Sequence, residues 1–245
     1  MLGKLIKYDF KALAKNMFPI YALMIALTFA CSLMIRFNLE RSFVFGIAMF
    51  AWVVSMSSSF AITIWMTVMR FYHGLLKNEG YLSFALPVKT ATHILAKAFN
   101  ALIWAVVEVI ALGICALIFA FTVAPLRDLM EAFKYFFTID ADFYLMLLQM
   151  ALLGALELLA GDCLFFAAFS IAHLFDRHQK LIAGVFVVLM FILRGFLFPP
   201  RFSMEFGPGS EFVLLHPLLF IIPLVLTIVY SLVTWYILDK KLNLQ

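Results

Sequence analysis

Long stretches with few or no charges recur six times along the chain, and nearly all lysines and arginines lie between them. These stretches cover residues 17–35, 42–69, 98–126, 143–174, 181–198 and 212–238. Each is long enough to cross a bilayer core of about 30 Å as a helix that rises about 1.5 Å per residue. The stretches do not alternate between polar and apolar positions, which favours helices over the strands of a membrane barrel. The pattern predicts an all-α integral membrane protein with about six transmembrane helices.

Composition supports the same conclusion. Hydrophobic residues make up 66% of the 245 residues and charged residues only 13%, whereas soluble domains are about half apolar and about a quarter charged. A water-soluble fold would expose this excess as one large apolar patch. The three cysteines, Cys31, Cys115 and Cys163, all fall inside apolar stretches. Their odd number and wide spacing argue against a disulfide framework and against a metal site.

Basic residues are divided unequally between the two sides that six crossings define. One side, made of segments 1–16, 70–97, 175–180 and 239–245, holds twelve lysines and arginines and four acids, a net charge of +8. The other side holds six basic and seven acidic residues, a net charge of −1. Because cytoplasmic loops carry the excess of basic residues, we expect both termini in the cytoplasm and the chain in the cell membrane. The overall charge of +4 reflects this sidedness and gives no sign of nucleic-acid binding.

Residues 1–16 show the periodicity of an amphipathic helix. The basic side chains fall within an arc of about 80° opposite an apolar face. They are Lys4, Lys7, Lys11 and Lys15. We expect this helix to lie flat on the membrane with its lysines towards anionic headgroups or a soluble partner. A turn at Pro19 would then lead into the first span.

Two connections between the spans are long enough to have a role of their own. The cytoplasmic segment 70–97 is rich in Leu, Phe and Tyr, and Gly80 and Pro87 predict short helices with breaks between them. It either packs on its own helix bundle or docks a cytoplasmic protein. The outer segment 199–211 is rich in proline and glycine. It predicts either a simple outer loop or one that dips into the membrane.

Three acids lie inside the predicted spans. Glu108 and Glu157 are near the middle of the third and fourth spans, and Asp162 lies about one and a half turns closer to the cytoplasm. At such depth a carboxyl group must face a polar cavity, find a partner or hold a proton. Glu108 and Glu157 are predicted at similar depth on antiparallel neighbours and are able to meet. These acids are either polar points on a substrate path or hydrogen-bonded links between helices.

Arg194, near the end of the fifth stretch, is expected to reach the outer interface with its guanidinium group. The chain shows neither a glycine-rich phosphate loop, nor a His-Glu-x-x-His motif, nor a Gly-x-Ser-x-Gly motif. We therefore expect no enzymatic activity and no bound cofactor in this chain.

The segment 78–90, with the sequence NEGYLSFALPVKT, is followed at 94–97 by ILAK. It resembles the loop after the second span in type-2 ATP-binding-cassette (ABC) transporter permeases. That pattern runs roughly Glu-x-Gly-Thr-Leu, then Leu-x-x-Pro-Val-Ser/Thr, then an apolar pair, a small residue and Lys. Here Glu79 directly precedes Gly80, and Tyr81 stands at the threonine position.

The resemblance implies a coupling helix that docks on a separate ABC ATPase subunit, where ATP and Mg²⁺ would bind. The candidate docking residues are Glu79, Gly80, Tyr81, Leu82, Phe84, Leu86, Pro87 and Val88. It also implies that two permease chains, identical or different, pair around the substrate path. The family mostly exports drugs, peptides, lipids or polysaccharides. The expected function is thus the permease subunit of an ABC exporter, with residues 1–245 as a single transmembrane domain.

An ATP-independent transporter or channel is the alternative. In that case Glu108, Glu157 and Asp162 would form a proton or cation relay. Such a protein would work without a second chain.

Overall fold

The computed structural model describes residues 2–77, 88–138, 141–175, 177–197 and 218–240, together with Gly80 and Ala85. Within these residues all regular structure is helical, which confirms the predicted all-α class. The elements in chain order are α1 (Leu2–Arg36), α2 (Phe43–Phe71), a π-helical turn (Tyr72–Leu76), α3 (Thr90–Val123), α4 (Leu126–Thr138), α5 (Ala141–Ala172), α6 (Gln179–Leu197) and α7 (Leu218–Lys240).

Six helices of the described part are long and apolar enough to cross a membrane. They are α1, α2 with the π turn, α3, α5, α6 and α7, and they coincide with the six stretches found in the sequence. Large apolar side chains lie exposed along them: Phe43 and Phe50 of α2 are 84% and 72% exposed. Such surface is unfavourable in water and favourable in hydrocarbon. The structure therefore supports a multi-pass membrane protein.

Helix α1 differs from the sequence prediction at Pro19. We expected a flat helix over 1–16 and a turn at Pro19, whereas residues 2–36 form one continuous helix with Pro19 inside it. One buried face runs along the whole length at spacings of three and four residues: Asp9, Leu13, Met17, Tyr21, Met24, Thr28, Cys31 and Ser32. Proline removes one hydrogen bond from the helix. The packing of this continuous face offsets that loss, so no break forms.

Helix α4 was not predicted. Its apolar residues Met130, Phe133 and Phe137 recur at spacings of three and four positions, a pattern typical of an amphipathic helix. Arg127 and Glu131 form an i, i+4 ion pair with an Nε–Oε1 distance of 3.1 Å on its exposed side. Both side chains are largely exposed, so the pair contributes little to stability.

The described residues divide into two compact units. The α1–α3 unit comprises Lys7–Met66 and Ile103–Asp140. Its core joins the buried face of α1 to the facing side of α3, with Leu13, Met17, Tyr21, Met24, Trp104, Ala111 and Cys115. Trp104 is fully buried and stacks on Phe10 with a ring-centroid distance of 4.8 Å. Aromatic stacking of this kind adds to the apolar burial that holds α1 against α3.

The α5–α7 unit comprises Met1–Ile6, Thr67–Leu102 and Ala141–Gln245. Helix α5 lies at its centre and packs against α6, α7 and the π turn. The end of α2 joins this packing, because Phe71 stacks on Phe166 of α5 at a centroid distance of 4.2 Å. Tyr72 of the π turn contacts Phe169 one turn further along. The point where α2 leaves the membrane is thereby fixed to α5.

Candidate functional sites in the spans

Glu108 lies on α3 inside the α1–α3 unit and is only 1% exposed. Ser59 Oγ donates to Oε1 of Glu108 at 2.7 Å, and Thr63 Oγ1 donates to Oε2 at 2.8 Å. The hydroxyl of Tyr21 on α1 is 3.0 Å from Thr63 Oγ1. All three hydroxyl-bearing side chains are buried. We call this group of four residues the Glu108 network, and it links α1, α2 and α3.

The sequence places the two donors on one face of α2, because Ser59 and Thr63 are four residues apart. They belong to a run of serines and threonines in an otherwise apolar span. Sequence analysis did not assign a role to this run or to Tyr21. The available signal was the i, i+4 spacing of hydroxyl residues in a helix whose neighbour carries an intramembrane acid.

The Glu108 network is able to satisfy the carboxyl group in both protonation states. Ser59 Oγ is also 2.9 Å from the Met56 carbonyl oxygen, and Thr63 Oγ1 is 2.9 Å from the Ser59 carbonyl oxygen. Each hydroxyl has one proton. If Glu108 is ionised, both hydroxyls donate to it. If Glu108 is protonated, it donates to one hydroxyl, which then donates to its own backbone carbonyl. No ion pair to Glu108 occurs among the described residues.

Glu157 on α5 forms an ion pair with Arg194 on α6, through Oε2 and Nη2. The sequence had placed the Arg194 guanidinium at the outer interface. The structure differs because α5 and α6 are antiparallel neighbours joined by a short loop. Glu157 lies 15 residues before the end of α5, and Arg194 lies 15 residues after the start of α6. Both are therefore about 22 Å along their helices from the same loop, which brings the two charges level.

Asp162 on α5 is 7% exposed, and its Oδ1 makes no hydrogen bond within the described residues. It precedes Phe166 by one turn and Phe169 by two, so it lies on the α5 face that packs against the end of α2. The neighbouring Cys163 Sγ accepts a hydrogen bond from Ser231 Oγ of α7 at 3.5 Å. Five positions along a helix correspond to a rotation of about 140°. Asp162 and Glu157 thus project from different faces of α5.

The three intramembrane acids therefore have separate surroundings. Glu108 bonds Ser59 and Thr63 in one unit, Glu157 bonds Arg194 in the other, and Asp162 Oδ1 has no hydrogen bond among the described residues. Glu108 and Glu157 each have a partner within their own unit. Within the described part of the chain, no three His, Cys, Asp or Glu side chains come close enough to hold a metal ion.

Only two of the predicted docking residues belong to the described part of the chain. Glu79, Tyr81, Leu82, Phe84, Leu86 and Pro87 lie outside it, as does the outer segment 199–211. Gly80 is buried, and its N–H donates to the Lys77 carbonyl oxygen at 2.7 Å. Val88 is half-buried just before α3 begins. The chain therefore turns directly after the π turn, as expected where a loop leaves a span.

Comparisons with protein-family models, with curated proteins and with solved structures find no match to this chain. The resemblance to type-2 ABC permeases consequently rests on the residues of 78–97 and on the overall layout of six spans with a long first cytoplasmic loop.

Proposed function

We propose that this chain is the membrane-spanning permease subunit of an ABC exporter and that a separate ATPase chain supplies the energy. The observation that carries the proposal is how the segment with the coupling-loop pattern is anchored. On one side it follows the π turn, where Leu75 and Leu76 are buried. On the other side it enters α3, where Ile94 and Ala96 are buried. A loop held at both ends by packed helices is suited to pass a push on to the spans.

In this proposal ATP closes two ATPase subunits, which press on the coupling loops of two permease chains. The push reaches α5 through the stacked rings of Phe71 and Phe166, because these fix the end of α2 to that helix. The spans then rock between inward-open and outward-open states. Such a switch requires that the driving ligand binds the two states with different affinity. Here ATP on the partner provides that difference, and the permease itself carries out no chemistry.

Replacing residues 82–88 with a Gly/Ser linker of seven residues is expected to abolish co-purification of the ATPase in detergent. The replacement removes the apolar side chains of the loop and leaves the spans intact. A linker of the same length over 205–211, on the predicted outer side, is the matched control and should retain the ATPase. If the ATPase remains bound after the 82–88 replacement, the coupling-loop assignment fails.

The predicted orientation is tested by cysteine labelling of intact cells. Glu205→Cys should react with a membrane-impermeant maleimide, whereas Glu79→Cys should react only after the cells are opened. The native cysteines Cys31, Cys115 and Cys163 are all buried, so the unmodified chain should give little background. Labelling of position 79 from outside would reverse the assigned orientation and place the loop beyond the reach of a cytoplasmic ATPase.

The second candidate is an ATP-independent transporter or channel that uses the intramembrane acids. It is favoured by Asp162 Oδ1, which is buried and has no hydrogen bond among the described residues, because such an oxygen is able to hold a proton, a water or a cation. A relay also needs links from Asp162 to Glu108 and Glu157, and those two have partners of their own. Transport by the purified chain in vesicles without any ATPase would establish this candidate over the permease.

A further inference from the structure

A shallow pocket of about 470 Å³ lies in the α5–α7 unit, where the loop between α5 and α6 meets the π turn. Its lining residues are Tyr72, His178, Gln179, Lys180 and Leu181. Two hydrogen bonds fix its walls: the Tyr72 hydroxyl donates to Gln179 Oε1 at 3.4 Å, and Gln179 Nε2 donates to the Phe175 carbonyl oxygen at 3.1 Å. The Lys180 side chain is exposed and free to turn towards a ligand.

The described charged side chains at and beside this pocket are positive. Lys77 holds its Nζ 5.4 Å from the centre of the Tyr72 ring, which adds a second cation beside the wall. Arg177 is exposed and directly precedes His178. Among the described residues, the pocket lining contains no acidic side chain, and Asp176 of the same loop lies outside the described part of the chain. A site with several cations, an imidazole and an amide attracts anions, and phosphate oxygens accept hydrogen bonds from all of these groups.

The pocket lies at the ends of two membrane spans, at the depth of the lipid headgroups. Gln179 is the first residue of the span Gln179–Phe196, and Tyr72 lies in the last turns of the span Phe43–Leu76. Polar headgroups lie at such span ends. From the pocket, one apolar face of α6 runs into the membrane with spacings of four, three and four residues. Its members Leu181, Val185, Val188 and Ile192 are between 54% and 64% exposed.

We propose that this pocket binds the phosphate headgroup of an anionic phospholipid, with one acyl chain along the exposed α6 face. Lys180 and Lys77 neutralise the headgroup, and His178 and Gln179 lie within its reach. Free phosphate or a nucleotide offers the same phosphate chemistry, but neither would use the apolar face that begins at Leu181. In the predicted orientation the pocket faces the cytoplasmic leaflet, which carries anionic lipids. This site goes beyond the proposed function and does not depend on it.

The test is native mass spectrometry of the full chain, purified in detergent and titrated with phosphatidylglycerol or with phosphatidylcholine of identical acyl chains. We expect one phosphatidylglycerol to remain bound under conditions that remove phosphatidylcholine. Each lysine near an anionic surface strengthens binding about fivefold, so the double variant Lys77→Gln/Lys180→Gln should weaken it roughly 30-fold. The matched control is Arg41→Gln/Lys134→Gln, which removes the same charge from exposed positions on the predicted outer side.

Equal retention of both lipids by the unmodified chain would overturn the proposal. So would equal loss of phosphatidylglycerol in the test and control variants, because this would indicate a general effect of net charge. Displacement of the lipid by millimolar inorganic phosphate would mean that the pocket is a site for soluble anions.

Leu181→Asn is a second variant that keeps every cation. It should weaken phosphatidylglycerol binding if the acyl chain follows α6, and unchanged binding would contradict the lipid assignment. Unchanged helical circular dichroism should accompany each variant.

Discussion

Glu157→Gln is expected to lower the free energy of unfolding by about 3 kcal/mol, because it leaves Arg194 inside the membrane without a counter-charge. Arginine does not release its proton in proteins, so the guanidinium group cannot become neutral. Arg194 lies three residues before the end of α6, so turning its long side chain towards the outer interface recovers part of the loss. The measurement is reversible unfolding in mixed micelles, followed by helical circular dichroism.

The reverse substitution, Arg194→Gln, should cost less, about 1–2 kcal/mol. Without Arg194, the carboxyl group of Glu157 is able to take up a proton and become neutral. The neutral carboxyl group then needs only ordinary hydrogen bonds. The double variant Glu157→Gln/Arg194→Gln removes both charges and should return to within about 1 kcal/mol of the unmodified chain. If Glu157→Gln alone is neutral, Arg194 has another partner or is already at the interface. The level pairing of α5 and α6 would then be incorrect.

The number and position of the spans followed directly from the sequence, because a bilayer imposes a length and a polarity that each span must meet by itself. Helix α6 illustrates this: Arg194, the one charge within residues 181–198, did not obscure an otherwise unbroken apolar stretch. Helix α1 shows the limit of local signals. Pro19 and the change from lysine-rich to apolar residues both indicated a break, whereas the buried face that runs from Asp9 to Ser32 carried the helix through it.

The sequence alone did not predict the hydrogen-bond and ion-pair partners of Glu108 and Glu157, for a different reason. Depth along a helix follows from residue number, but the direction of a side chain depends on how each helix is rotated against its neighbours. Depth alone predicted that Glu108 and Glu157 were able to meet. The rotation of the helices within each unit gives Glu108 the hydroxyls of Ser59 and Thr63 and gives Glu157 the guanidinium of Arg194. The pairing of Glu157 with Arg194 was predictable from the sequence, because the short loop between α5 and α6 sets which residues of the two helices lie side by side.

Removing all three hydroxyls of the Glu108 network is expected to destabilise the chain by about 2–3 kcal/mol. In the variant Tyr21→Phe/Ser59→Ala/Thr63→Val the carboxyl group of Glu108 stays buried with both oxygens unpaired. Each unpaired group costs roughly 1 kcal/mol or more in such surroundings. Adding Glu108→Leu should restore more than half of the loss, because an apolar replacement of all partners leaves nothing unsatisfied. No recovery would mean that the carboxyl group has a further partner or contacts water.

Glu108→Gln separates a structural role from a proton relay. The amide has the same shape as a carboxylic acid. It accepts from one hydroxyl and donates to the other, which then turns to its backbone carbonyl at 2.9 Å. We expect stability within about 1 kcal/mol of the unmodified chain. If the network only links helices, ATP-dependent export should also persist, measured in vesicles that contain the ATPase. A relay needs a group that binds and releases protons, which an amide does not do. Loss of transport with unchanged stability would therefore favour the ATP-independent transporter with a proton relay over the ABC permease.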